Sequence, residues 1–322
     1  DNHGRWSPDG KWLLFVSTRT NGPQAWVLRE KEGEPKQLTN LSTGVGDPVW
    51  SPDSKHIVFS TDLYPECGAD DSCNQKIDRS TESGSIQAHI TDKLLYRHWT
   101  AWKDGKQTHT LTFDIETGTY RDLTPGSFDA PAWEQGAIGF ASSPDGKELC
   151  YVSNHDSVEA ASTNKDLWLV PFSGGFAQNI TRSNKSYDSH PVYSPDGNSI
   201  AYKTQMIPGY ESDRFRIAMY NRTNTTTTIL TEAFDNWVND IAWAPDSRSI
   251  YFTGQVKGHT PLYNIDIKTH RVKQVIDVKT MDAFDLSPDG KTMVFGRRAV
   301  GEPVELWRCS SDGKDLKQLT FF

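Results

Sequence analysis

Apolar and aromatic residues come along this chain in short runs separated by turn residues, and the runs keep step with one recurring tetrapeptide. Arg5-Trp6 precedes Ser7-Pro8-Asp9-Gly10 and Trp12-Leu13-Leu14-Phe15-Val16 follows it, while Pro48-Val49-Trp50 and His56-Ile57-Val58-Phe59 flank Ser51-Pro52-Asp53-Ser54 in the same way. Runs this short, rich in β-branched and aromatic residues and bounded by Pro, Asp and Gly, read as strands. The tetrapeptide returns as Ser143-Pro144-Asp145-Gly146, Ser194-Pro195-Asp196-Gly197, Ala244-Pro245-Asp246-Ser247 and Ser287-Pro288-Asp289-Gly290. Pro presets φ at the second position, Asp bonds a backbone N–H just ahead and Gly accepts a positive φ, so each copy should tie two antiparallel strands into a hairpin.

The turn aspartates stand 44, 92, 51, 50 and 43 residues apart. The interval of 92 suits two units, and Trp102-Lys103-Asp104-Gly105-Lys106, which shares Asp-Gly-Lys with three of the turns, splits it into 51 and 41. A second marker closes the units: Gln37-Leu38-Thr39, Asp122-Leu123-Thr124, Asn179-Ile180-Thr181, Ile229-Leu230-Thr231 and Gln318-Leu319-Thr320. Two more strand candidates lie between turn and marker, such as Ala25-Trp26-Val27-Leu28 and Leu167-Trp168-Leu169-Val170. Four short strands per period is the signature of a propeller blade. The pattern therefore predicts an all-β fold, a β-propeller of about seven four-stranded blades over residues 1–322 as one domain, with boundaries near residues 42, 91, 128, 184, 234 and 279. A blade cannot bury its faces alone, so blades should pack side by side around a channel.

Composition narrows the partners. Apolar residues make up 35 % and aromatics 11 %, which suits sheets that insert large rings between blades. A net charge of −8 with scattered Lys and Arg argues against nucleic acid and against an anionic membrane surface. No stretch approaches the roughly 20 apolar residues of a membrane span, and none resembles a signal peptide; the chain, opening abruptly in a strand approach, reads as mature or truncated. Cys150 and Cys309 sit in strand patterns and read as small buried hydrophobes. Cys67 and Cys73 bracket one loop, where a short disulfide is expected and two reduced thiols of an intracellular protein are the alternative. Asn-x-Ser/Thr triplets at Asn40, Asn179, Asn184, Asn221 and Asn224 are compatible with secretion.

Three stretches depart from the repeat. The first is an excursion from Asp62 to about His89, with a short helix expected over Asn74–Arg79 and started by Asn74, overhanging one end of the blades. The second, Leu94-Leu95-Tyr96-Arg97-His98-Trp99-Thr100-Ala101-Trp102, precedes the turn of the supposed third unit and is expected on an innermost strand lining the channel. Its plainer reading has Tyr96 and Trp99 packing between blades and Arg97 capping a strand. The third, Pro208-Gly209-Tyr210-Glu211-Ser212-Asp213-Arg214-Phe215-Arg216, alternates charges with aromatics and reads either as an internal ion-pair network or as a surface for a charged ligand.

Catalytic and metal motifs are missing from the sequence. There is no Gly-x-Ser-x-Gly elbow, no His-Glu-x-x-His, no paired Cys-x-x-Cys and no phosphate-cradling Gly-rich loop. His98 and His109 stand on either side of a turn without a third ligand, so neither a metal nor a cofactor is expected.

Leu95-Tyr96-Arg97-His98-Trp99 with Trp102, the Asn164-Lys165-Asp166-Leu167-Trp168 strand, the 208–216 segment and Asp235-Asn236-Trp237-Val238 together resemble the propeller of prolyl-oligopeptidase-family serine peptidases, in its dipeptidyl-peptidase 5 and acylaminoacyl-peptidase-like branch. The resemblance implies a propeller that gates and selects substrate for an exopeptidase releasing dipeptides or acyl-amino acids from peptide N-termini. It implies short peptides and the chain's own α/β-hydrolase domain as partners, a parent that is a homodimer, and a periplasmic or secreted location, with the cytoplasm as the alternative. That hydrolase domain, with its Ser, Asp, His triad, is expected downstream of Phe322, so 1–322 alone should lack activity; the resemblance also leaves room for one further blade upstream of Asp1. Arg97, His98, Trp99, Glu211, Asp213 and Arg214 are the expected peptide-binding residues, carboxylates for the ammonium end and guanidinium groups for the backbone. A non-enzymatic binding propeller of the periplasmic scaffold type would carry the same turns and is the competing reading.

Overall fold

The computed structural model describes residues 1–31, 33–86, 88–132 and 139–322; the side chain of His98 lies outside that description. Two compact units form, Asp1–Lys185 and Ser186–Phe322.

In the first unit, β1 (Asn2–Trp6), β2 (Trp12–Thr20), β3 (Gly22–Arg29) and β4 (Lys36–Gln37) make one antiparallel sheet in chain order. The next sheet contains β5 (Gly46–Trp50), β6 (His56–Leu63), β9 (Gln107–Asp114) and β10 (Tyr120–Asp122). Between β6 and β9 the chain makes helix α1 (Asp71–Glu82) and a two-stranded hairpin of β7 (Arg97–His98) and β8 (Ala101–Trp102). A third sheet holds β11 (Phe140–Ser142), β12 (Glu148–Ser153), β13 (Asp166–Pro171) and β14 (Gln178–Asn179). The second unit repeats the plan in β15 (Asp188–Tyr193), β16 (Ser199–Thr204), β17 (Arg216–Asn221) and β18 (Thr226–Ile229), then in β19 (Val238–Trp243), β20 (Ser249–Gly254), β21 (Leu262–Asp266) and β22 (Val272–Ile276). It ends in β23 (Thr280–Leu286), β24 (Thr292–Ala299), β25 (Glu302–Ser310) and β26 (Lys317–Gln318).

The fold is an all-β propeller, with six four-stranded blades among the described residues where the spacing predicts about seven. The supposed units two and three are one blade. β6 pairs with β9 without a break from His56↔Asp114 to Leu63↔Gln107, so residues 64–106 are an insertion between the second and third strands of that blade. The expected boundaries near 42, 128, 184, 234 and 279 all fall between sheets, and the one near 91 falls inside the insertion. Asp104-Gly105 imitates the recurring turn without being one. Both residues have positive φ, 48° and 84°, with the Lys106 N–H donating to the Lys103 carbonyl, the geometry of a type I′ turn. In the true turns Pro holds the second position and the positive φ falls one step later, at Gly10, Ser54, Gly146, Gly197, Ser247 or Gly290.

A serine hydroxyl clamps five of those turns. Ser7, Ser51, Ser143, Ser194 and Ser287 each donate to the aspartate two residues on, at 2.5–2.7 Å, and the same oxygen accepts the backbone N–H that begins the next strand. The hydroxyl next to Asp9, with Lys11 behind it, pulls that carboxyl down to about 2.

Within each unit, successive blades bury one another's faces. Leu14, Ala25 and Val27 of the first blade pack against Ile57, Phe59, Leu111 and Phe113 of the second. Val58, between Ile57 and Phe59, points the other way into Phe140, Leu149, Tyr151 and Val170 of the third. A strand buried on both faces needs no polar alternation, hence the continuous apolar runs. Ala201 and Ile217 meet Val238, Ile241 and Phe252 in the second unit, and Leu262 and Ile276 meet Met281, Met293 and Phe295.

Candidate functional site

A four-stranded meander turns back at its second and fourth strands, so the connections after them leave from the end of the blade opposite the Ser-Pro-Asp turns. All the sequence-singled segments lie at that end: 64–106 and 208–215 follow second strands, and 235–237 follows a fourth.

The insertion is held down at its root. Asp70 caps α1, its carboxylate accepting from the Cys73 N–H at 3.1 Å, so the helix starts earlier and runs longer than the Asn74–Arg79 reading. Asn74 instead is buried inside it, accepting from the Tyr64 N–H at 2.9 Å and donating to the Gly68 and Asp70 carbonyls at 3.0 and 2.9 Å. Cys67 and Cys73 are joined, with Cα atoms 5.5 Å apart; Cys150 and Cys309 are buried free thiols.

The 94–102 run does not sit on a first strand of a blade. It forms the β7–β8 hairpin within the insertion, with Arg97 opposite Trp102 and His98 opposite Ala101. The Arg97 guanidinium lies 5.8 Å from the Trp102 ring and donates through Nη1 to the Trp99 carbonyl, closing its own hairpin. Trp99, at φ 48°, turns its ring out, 82 % exposed. Trp102 stacks on His89 at 3.9 Å and on Tyr96 at 5.6 Å, and His89 Nδ1 meets Asp104 at 2.5 Å. These rings border a cavity of about 700 Å³ whose far side is Phe128, Val158 and Glu159. Burial pushes the Glu159 carboxyl up. His109, the weak metal candidate, is buried, with Nδ1 at 2.7 Å from Asp122 and Nε2 donating to the Gly126 carbonyl at 2.9 Å; no group of three or more possible metal ligands occurs among the described residues.

In the second unit the charged loop is mostly a clamp. Asp213 is buried and accepts from the Met206 N–H at 2.6 Å and from Arg216 at 3.2 Å. Burial pushes its carboxyl up, and the Met206 N–H and the Arg216 guanidinium more than reverse that, leaving it below the usual value. Arg214 donates to the carbonyls of Glu232 and Phe234, tying its loop to the next one. Glu211 is exposed, and among the described residues its carboxylate makes no hydrogen bond or ion pair. Of the expected set, then, Arg97, Asp213 and Arg214 make internal contacts, Trp99 is largely exposed, and Glu211 presents its carboxylate to solvent.

In four of the six turns a polar residue not singled out in the sequence stands four positions before the turn's first residue. His3 and Asp47 stand there on β1 and β5, Nδ1 to Oδ1 at 2.8 Å, and His190 and Asp240 stand there on β15 and β19. Nearby, Tyr187, Phe215 and Trp237 form an edge-to-face row with 5.4 Å between successive centroids, and Lys203 sets its ammonium 5.2 Å over the Phe215 ring. The recurrence of that polar residue in four of six turns, with Gly139 and Ala283 in the other two, is the signal the sequence held.

Fold and sites thus define a β-propeller whose blade ends carry polar and aromatic groups. No family model matches the chain. It is homologous to proteins named dipeptidyl-peptidase 5 and to the YuxL peptidase: 32 % identical over 94 % of its length to dipeptidyl-peptidase 5 of Porphyromonas gingivalis, and 26 % identical over 98 % to the uncharacterized peptidase YuxL of Bacillus subtilis. The chain spans 44 % and 48 % of those two proteins. Among solved structures it is similar to Pyrococcus horikoshii acylaminoacyl peptidase, TM-score 0.71 at 18 % identity over 99 % of this chain and 44 % of that one. It is also similar to the β-propeller domain of the Trilobed protease of Pyrococcus furiosus, TM-score 0.64 at 16 % identity over 99 % and 80 %.

Proposed function

We propose that this chain is the substrate-gating and selection propeller of a serine exopeptidase that removes dipeptides or acyl-amino acids from peptide N-termini. The observation that carries the reading is the 32 % identity to a dipeptidyl-peptidase 5 sustained over 94 % of the chain. The insertion and the 208–215 loop add support, since they put exposed aromatic and acidic groups at blade ends. In this reading the triad belongs to an α/β-hydrolase domain of the same protein, the channel admits short unfolded peptides, and the residues named here bind rather than catalyse. Location outside the cytoplasm and pairing into homodimers belong to the same proposal.

Glu211, in the second unit, is then the contact for the substrate ammonium, and Trp99, in the first, is a separate apolar contact for peptide. The test is made in the complete gene product with dipeptidyl chromogenic substrates. Glu211→Gln should lower kcat/KM roughly ten- to hundredfold, the worth of one charge-assisted contact of about 1.5–3 kcal/mol, without moving Tm. Trp99→Ala should raise KM. Arg214→Ala, which cuts a loop clamp, should lower Tm first. Wild-type turnover in both Glu211→Gln and Trp99→Ala would remove these residues from substrate selection.

A further inference from the structure

Lys203 is a cation in an unusual position. It stands on β16 opposite Ser189 of β15 and Ile217 of β17, on the blade face that packs against the following blade. Its side chain is half-buried, and among the described residues no carboxylate lies within ion-pair distance of Nζ. Its contact is the face of Phe215, in the middle of the half-exposed row Tyr187, Phe215, Trp237. Burying a charge without a partner is costly, and proteins ordinarily pair such a group or neutralise it. Burial does pull the Lys203 ammonium below its ordinary value.

No neighbour supplies an anion in contact. Asp240 of β19 acts on Lys203 from beyond ion-pair distance, its charge favouring the ammonium, but it faces Thr253 Oγ1 at 3.5 Å and burial pushes its carboxyl up more than Lys203 draws it down. His190 keeps Nδ1 shielded from solvent without a partner, and burial, with Lys203 second, pushes its ring down to about 3, so it adds no positive charge of its own. The result is a lysine with three N–H donors, backed by an aromatic row that takes an apolar side chain, at the end of the blades where the 208–215 loop stands.

We infer that Lys203, flanked by Tyr187, Phe215 and Trp237, is a binding site for a peptide carboxylate, with the aromatic row holding the adjacent side chain. The inference rests on the peptide-selecting role proposed above and adds a site for the opposite, acidic end of the ligand. A carboxylate there gains a charge-assisted hydrogen bond in a partly desolvated place, where it is stronger than in water. The free carboxylate at a peptide's C-terminus and the carboxylate of a Glu side chain have the same chemistry.

The test uses the chain 1–322 and an alanine-rich pentapeptide with one phenylalanine, titrated by calorimetry and by tryptophan fluorescence. The peptide is presented as free acid, as C-terminal amide, and as amide with one alanine replaced by glutamate. Wild type should bind the free acid at least tenfold tighter than the plain amide. Lys203→Met should bring the acid to the level of the amide, and Lys203→Arg should keep the preference, which a loss of folding would not reproduce. Tight binding of the glutamate-containing amide, lost in Lys203→Met, assigns the site to a side-chain carboxylate. Equal binding of acid and plain amide to wild type, or an acid preference that survives Lys203→Met, overturns the inference while leaving peptide binding intact. Failure of every peptide to bind overturns the peptide-selecting role and the carboxylate site with it.

Discussion

A single oxygen atom organises each Ser-Pro-Asp turn. The Ser51 hydroxyl is buried, donates to Asp53 at 2.5 Å and accepts the His56 N–H at 3.0 Å, so it fixes both the turn and the first residue of the returning strand. The fifth blade lacks it: Ala244 stands in the serine position, and Asp246 keeps only the Arg248 N–H, at 3.0 Å. Ala244→Ser should therefore stabilise the protein by about 0.5–1.5 kcal/mol, the net worth of one such hydrogen bond. The readout is a higher urea midpoint at unchanged slope. A lower midpoint would show that the pocket at Ala244, 8 % exposed, has no room for the hydroxyl. The turn itself was readable in the sequence, because proline, aspartate and glycine at fixed spacing have a local mechanism; the serine clamp emerges only from the structure.

Elements were less legible where the chain leaves the repeat. Residues 64–106 contain strand-like runs, an Asp-Gly-Lys turn and a plausible period, and only the β6–β9 pairing shows that they interrupt one blade. Pairing between residues so far apart in sequence leaves no local mark; Leu63 and Gln107 look unrelated until they are opposite one another. Replacing 64–106 by a two-residue Asn-Gly turn should leave the six-blade fold intact, since Leu63 and Gln107 already stand where a hairpin closes. Far-ultraviolet circular dichroism and a cooperative thermal transition read the outcome, and loss of the transition would mean that the insertion is part of the blade core. The same blindness explains why the 94–102 run is expected on an innermost strand, and why the internal contacts of Arg97, Asp213 and Arg214 leave no mark in the sequence. Charge and aromaticity in sequence do not distinguish a donor aimed at a ligand from one aimed at a neighbouring carbonyl.

At the scale of the molecule, buried titratable groups set how stability responds to acid. The His190 ring titrates near 3 in the folded protein and near 6.5 when unfolded. Between those values the unfolded chain binds a proton that the folded one does not, so stability is full above about pH 6.5 and falls as the pH drops towards 3. By pH 5 this one group costs about 2 kcal/mol. His155, also pushed down by burial, acts in the same direction, and the turn aspartates add a further loss below their unfolded value near 4. His190→Asn, chosen because asparagine tolerates the φ of 54°, should flatten the fall between pH 6.5 and 5 in chemical denaturation curves. An unchanged slope would place the acid sensitivity elsewhere.

The sequence by itself determined the turns, the four-strand period, the all-β class and most blade boundaries, because each depends on residues a few positions apart acting through φ preferences and side-chain alternation. The number of blades, the nature of the insertion and the cluster around Lys203 were decided only by tertiary structure. Strand partners across 64–106 are chosen by which apolar faces can be buried together. Likewise, Lys203 meets Phe215, and His190 loses its solvent, because blades stack; in the sequence they are separate polar residues on separate strands.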